Sequence, residues 1–123
     1  MANSYPASPS LATRFVTVRI DDVSTAGSVW VVPGFRGEIK KISTVLDGAI
    51  TTADAAITVE IGGVAVTGGA ITVANSGSAA GTVDTAVPTA ANTFGEAQAV
   101  EVITDGGSSG TRSLMVTLEC EPV

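Results

Sequence analysis

The stretch that decides the fold lies near the carboxyl end and consists of QAVEVITD (98–105), GGSSG (106–110) and LMVTLEC (114–120). The first part is rich in β-branched and small residues, interrupted by polar ones at even spacing, which is typical of a strand. The glycines of the second part permit the positive φ values that a reversal needs. In the third part apolar and mainly polar residues alternate, which indicates a strand with one buried face. This pattern predicts a β-hairpin that closes an all-β domain.

The same period of two extends along most of the chain and predicts several more strands. At Gly62-Gly63 two glycines separate apolar runs, the spacing of a tight hairpin. Between Ile39 and Ile42 the apolar spacing is three, so a β-bulge is expected near Lys40-Lys41. We expect about eight short antiparallel strands and no helix, as in a sandwich or barrel. Besides the two strands at the carboxyl end, the predicted ones are Thr13–Ile20, Ser28–Val32, Arg36–Leu46, Ile57–Ile61, Val64–Val66, Ile71–Val73 and Gly81–Val87.

Length and composition predict one domain, residues 13–123, preceded by an extended arm of residues 1–12. The arm is polar and contains Pro6 and Pro9, with Tyr5 as its one large side chain. Two interpretations of the arm stay open: a loose terminus, or a segment that docks on a neighbouring subunit through Tyr5. The sequence shows neither a secretory signal nor an apolar run of about 20 residues, so neither Sec-type export nor a membrane partner is expected.

Charge and residue types exclude several classes of function. The net charge is −6, with only six Lys and Arg residues and no histidine. Nucleic acid is not an expected partner, because binding to phosphate needs clustered cations. Without histidine, a Ser-His-Asp triad and a His-based metal site are both excluded. The sequence therefore predicts no catalytic residue, no cofactor and no metal site.

The remaining polar candidates are interpreted as structural. Asp105-Gly106-Gly107 could supply oxygen ligands to calcium, but no further ligands are visible, so a turn is the favoured interpretation. Cys120 lies on the apolar face of the last strand and is expected to be a buried, unreactive thiol. The paired carboxylates are expected to be solvated surface groups; they are Asp21 with Asp22, Asp47 with Asp54, and Glu119 with Glu121.

Three segments resemble a known family: FGEAQAVEVITDGGSSGT (94–111) with its following strand, GEIKKISTVLDG (37–48) and ITVEIGG (57–63). They look like the paired strands of small jelly-roll decoration (cement) proteins of tailed bacteriophage heads. The resemblance implies a jelly-roll-like β-sandwich that is not an enzyme and that binds the major capsid protein on the outer surface of the head. It also implies a homotrimer, made in the host cytoplasm and located on the virion.

Four aromatic residues are the expected oligomer or capsid contacts: Tyr5, Phe15, Trp30 and Phe35. The last three could equally belong to the core. One alternative function is a carbohydrate-binding or adhesion module of a phage fibre or surface protein, which would use exposed aromatics to stack on sugar rings. The neighbours of Trp30 are strongly apolar, which argues against that role. A small enzyme on a β scaffold is disfavoured by the missing histidine.

We predict that deletion of residues 1–10 leaves the melting temperature unchanged and weakens attachment to the partner surface. The arm has two prolines and no apolar period, so it contributes little to the core, whereas Tyr5 has enough area to anchor an interface. Thermal unfolding and capsid occupancy of the truncated protein check this. A large drop in melting temperature would place the arm in the sheet, and unchanged occupancy would make it a loose terminus.

Overall fold

The computed structural model describes residues 12–123, and this part of the chain contains ten β-strands and no helix. The predicted contact Tyr5 lies outside the described residues. The strands are β1 (Arg14–Ile20), β2 (Gly27–Val31), β3 (Gly37–Leu46), β4 (Ala55–Ile61), β5 (Val64–Ala65), β6 (Ile71–Val73), β7 (Val83–Ala86), β8 (Thr93–Phe94), β9 (Val100–Thr104) and β10 (Leu114–Pro122).

The strands form two antiparallel five-stranded sheets that pack as a jelly-roll-like β-sandwich, which confirms the predicted fold class. Sheet A has the order β1-β10-β3-β7, with β8 also paired to β3, and sheet B has the order β2-β9-β4-β5, with β6 also paired to β4. Ten strands are present where about eight were predicted. The difference includes β8, a two-residue strand that is not among the predicted ones.

The predicted closing hairpin is wrong, because β9 and β10 belong to different sheets. β9 pairs with β2 and β4, whereas β10 pairs with β1 and β3, so both edges of each strand are already occupied. The glycine-rich connection 105–113 therefore crosses from sheet B to sheet A instead of turning back within one sheet. Gly106, at φ 72°, lies against the backbone of Ala26 in this crossing.

The core is formed by the alternate residues of each strand that face the other sheet. Leu114, Val116 and Leu118 of β10 face Val100 and Val102 of β9 from opposite layers, and all five are fully buried. Each such side chain contributes roughly 1.5–3 kcal/mol when it is removed from water. Cys120 is also fully buried, as predicted, and burial raises the pKa of its thiol to about 11.

Two local predictions on backbone geometry are confirmed. Glu119 pairs with Lys41 and Cys120 pairs with Ile39, so Lys40 is the extra residue of a β-bulge. The bulge keeps Ile39 and Ile42 on the same buried face despite their spacing of three. At the turn between β4 and β5, Gly62 and Gly63 both have positive φ, at 60° and 79°.

We predict that Gly106→Ala destabilises the fold more than Gly63→Ala. Both glycines have positive φ, so both substitutions cost about 1–2 kcal/mol of backbone strain. A Cβ on Gly63 meets no atom within 4 Å, whereas a Cβ on Gly106 would overlap the backbone nitrogen of Ala26. Urea unfolding of both variants measures the difference. Equal destabilisation would mean that the crossing loop moves away from Ala26 at no cost.

Candidate interaction surface

The structure does not bring the predicted contacts Phe15, Trp30 and Phe35 together. Phe15 lies on the outer face of sheet A and is 64% exposed, and Trp30 lies on the outer face of sheet B and is 63% exposed. Because the two outer faces point in opposite directions, one flat partner surface cannot cover both side chains. Trp30 is exposed although its neighbours are apolar, because Val29 and Val31 face the core and the strand period of two turns Trp30 outward.

Phe35 has a packing role at one end of the sandwich. Its ring is half-buried and meets the ring of the fully buried Phe94 edge-on, with centroids 5.4 Å apart and planes at 73°. The guanidinium of Arg14 lies 4.7 Å from the centroid of Phe35, a cation–π contact. Phe94 thus fills this end of the core, and Phe35 packs against it.

Several aspartates lie at the opposite end of the sandwich, where their carboxylates accept hydrogen bonds from loop residues. Asp105 accepts hydrogen bonds from the backbone amides of Ala56 (3.0 Å) and Gly107 (3.1 Å). Asp54 accepts from both nitrogens of Asn75, at 2.9 and 3.0 Å. Within residues 12–123, no group of three acidic or cysteine side chains could hold a metal ion. The bond from the Gly107 amide to the Asp105 side chain closes a local Asx turn at the start of the loop 105–113.

At the same end of the sandwich, serines donate hydrogen bonds to the carboxylates of Asp22 and Asp47. Asp47 accepts from the backbone amide of Ser113 at 2.9 Å and from its hydroxyl at 2.8 Å. The hydroxyl hydrogen bond from Ser113 lowers the pKa of Asp47, and the corresponding bond from Ser24 lowers the pKa of Asp22. Both carboxylates therefore stabilise loops in their charged form.

A cleft of about 250 Å³ lies between the end of β1 and the start of β2. Polar groups in the cleft already form hydrogen bonds within the protein. The Asp22 carboxylate accepts from Ser24 and Thr25, and the Thr104 hydroxyl donates to the Val23 carbonyl at 3.2 Å. No set of side chains in the cleft converges on a ligand.

The outer face of sheet B carries a row of residues that the sequence did not reveal as a group. The strand register places Trp30 opposite Glu101, Glu101 opposite Glu60, and Glu60 opposite Ala65. The hydroxyl of Ser28 donates a hydrogen bond to the Glu101 carboxylate at 2.7 Å. We call this surface the Trp30 face; it comprises Ser28, Trp30, Thr58, Glu60, Glu101 and Ile103.

Charge is divided unevenly between the two sheets. The strands of sheet B contain no lysine or arginine, whereas sheet A carries four, at Arg14, Arg19, Lys40 and Lys41. The two salt bridges found among residues 12–123 join Arg19 to Asp21 and Lys40 to Glu38. In that part of the chain, Glu60 and Glu101 thus have no cation within salt-bridge distance.

The comparisons with known proteins show the fold. No protein-family model matches the chain, and no curated protein matches its sequence. One similar solved chain is in the acidic stable capsid structure of Helicobacter pylori bacteriophage KHP30, with 10% identity, 89% of this chain and 86% of that chain covered, and a TM-score of 0.55. Another is in the capsid asymmetric unit of cyanophage Pam1, with 14% identity, 92% and 85% coverage, and a TM-score of 0.52. Both share this chain's sandwich architecture over nearly its whole length.

No helix in the described part of the chain is long and apolar enough to cross a membrane.

We predict that the folding stability of the Asp47→Asn variant depends less on pH in the acid range than that of the wild type. The hydrogen bonds of Ser113 favour the charged carboxylate, so their contribution is present above the ordinary pKa of 3.8 and disappears as the pH falls through the lower folded value. The introduced amide cannot titrate, so the variant should be less stable than the wild type at about pH 6 and approach it at about pH 2. Urea midpoints across this range test the prediction, and parallel curves would contradict it.

Proposed function

We propose that the protein is a structural component of a bacteriophage virion, a decoration or cement protein that binds the outer surface of the capsid and stabilises it. The observation that carries the proposal is the sandwich fold shared with chains of two phage capsid structures, each with a TM-score above 0.5 and more than four-fifths of both chains covered. The resemblance of residues 37–48, 57–63 and 94–111 to decoration proteins supports the same role.

The proposed partner is the major capsid protein, and the proposed assembly is a homotrimer on the outside of the head. A role without catalysis fits the sequence, because the chain has no histidine and its aspartates at 22, 47, 54 and 105 hold loops through hydrogen bonds. Subunit contacts would also add buried area to a small domain whose core is made mainly of Val, Ile and Leu.

The second candidate is a carbohydrate-binding or adhesion module of a phage fibre or surface protein. The observation that favours it is the exposed ring of Trp30, with the Glu101 carboxylate beside it as an acceptor for sugar hydroxyls. In the described part of the sheet B strands, Trp30 is the one aromatic residue, so a sugar would have a single ring to stack on. We therefore place this candidate second.

Co-sedimentation with empty heads of the phage that encodes the protein tests the proposal. We expect saturable binding to the heads and a higher temperature of head disruption when the protein is bound, since a ligand of the assembled state stabilises it. The control is an equal concentration of protein without heads. Protein that stays in the supernatant at saturating concentrations would contradict the proposed function.

A further inference from the structure

We propose that the Trp30 face is a docking surface for a cationic segment of a protein partner, in which an arginine or lysine stacks on Trp30 and pairs with Glu101 and Glu60. The docking role is inferred from the residues of the Trp30 face alone. Only the identification of the partner with the capsid shell rests on the proposed function.

Trp30 lies in an accessible position on the sheet. Its side chain is 63% exposed on β2, the edge strand of sheet B, while Val29 and Val31 on either side point to the core. An exposed tryptophan on a sheet face offers a large, rigid ring, and tryptophan is the best aromatic acceptor for a cation. The ring is therefore available to a partner without any rearrangement of the sheet.

Two carboxylates lie in the same row as the ring. Glu101 is directly opposite Trp30, and residues so paired have Cβ atoms about 4.5–5.5 Å apart. A cation within about 6 Å of the ring centroid is thus within reach of the Glu101 carboxylate. Glu60 is one strand further along the same row, about 4.8 Å away. The row presents a ring and two carboxylates to one basic segment.

This arrangement costs stability in the isolated chain. Glu60 and Glu101 are like charges directly opposite one another, a cross-strand pair that destabilises a sheet. No lysine or arginine of the sheet B strands offsets the pair, and neither glutamate has a salt bridge within residues 12–123. A basic partner would relieve this repulsion, whereas a neutral sugar would not. Charge complementarity thus selects the cationic occupant.

The experiment uses the intrinsic fluorescence of Trp30, the only tryptophan in the sequence. The full chain is titrated at low salt with a short peptide that carries two arginines separated by one glycine. A peptide of the same length with citrulline in place of arginine is the neutral control, and a neutral glucan trisaccharide tests the sugar alternative. We expect a saturable change with the arginine peptide alone, weakening as salt is added because exposed ion pairs are screened.

The variants separate binding from stability. We expect the double variant Glu60→Gln, Glu101→Gln to bind the arginine peptide about 2- to 30-fold more weakly, the range for the loss of two ion pairs at a protein surface. Its melting temperature should be equal to or above that of the wild type, because the like-charge pair is gone. Glu119→Gln, on the outer face of sheet A and opposite Lys41, is the matched control and should bind normally.

Several results would overturn the proposal: no saturable response to the arginine peptide, equal binding of the citrulline peptide, equal weakening by Glu119→Gln, or a response to the trisaccharide in place of the peptide. The titration contains no phage heads, so a negative result would contradict the docking surface without contradicting the proposed binding to the capsid. Conversely, a protein that binds the arginine peptide but not heads would retain this surface and lose the proposed function.

Discussion

The structure depends on the fact that one internal strand of each sheet comes from the last quarter of the chain. β9 lies between β2 and β4 in sheet B, and β10 lies between β1 and β3 in sheet A. Without β9 and β10, β2 would have no pairing partner in sheet B and β1 would have none in sheet A. Most of the strand pairing therefore joins residues that are far apart in sequence. The loop 105–113 that joins them crosses between the layers, and Gly106 passes close to the backbone of Ala26 on the way.

The positions of β9 and β10 within the sheets also determine which side chains become neighbours on the two outer faces. The strand period of two puts Trp30, Glu101 and Glu60 outward, and the pairing of β9 with both β2 and β4 brings them into one row. In sheet A the corresponding pairing sets Lys41 opposite Glu119, so charges of opposite sign meet. The strands of sheet A therefore carry charges of both signs, whereas those of sheet B carry carboxylates and no lysine or arginine. The face with unneutralised carboxylates is the one that carries the exposed tryptophan.

Much of the fold was predictable because its signals are local. The alternation at Val16 to Ile20, Ile57 to Ile61 and Leu114 to Leu118 is a property of single strands, and the bulge at Lys40 shows in the apolar spacing. The partner of each strand is not a local property. A glycine-rich stretch between two strands fits a hairpin and a crossing between sheets equally well, and the predicted hairpin was wrong for this reason.

The candidate site was less predictable than the fold. Apolar residues flank Trp30 in the sequence, but the strand period of two puts its ring on the face opposite to theirs. Glu60 and Glu101 are far apart in sequence, and only the register of β4 on β9 makes them neighbours. Phe35 was named as a contact because it is large and apolar, yet its ring is held by Phe94 and Arg14.

The most direct measurement for the central claim is a cryo-EM reconstruction of phage heads saturated with this protein. We expect density for the sandwich on the outer surface, with sheet B toward the shell and an arginine or lysine of the capsid within about 6 Å of the Trp30 ring. Heads without added density would contradict the proposed function. Sheet B turned toward solvent, with sheet A against the shell, would contradict the assignment of the docking face.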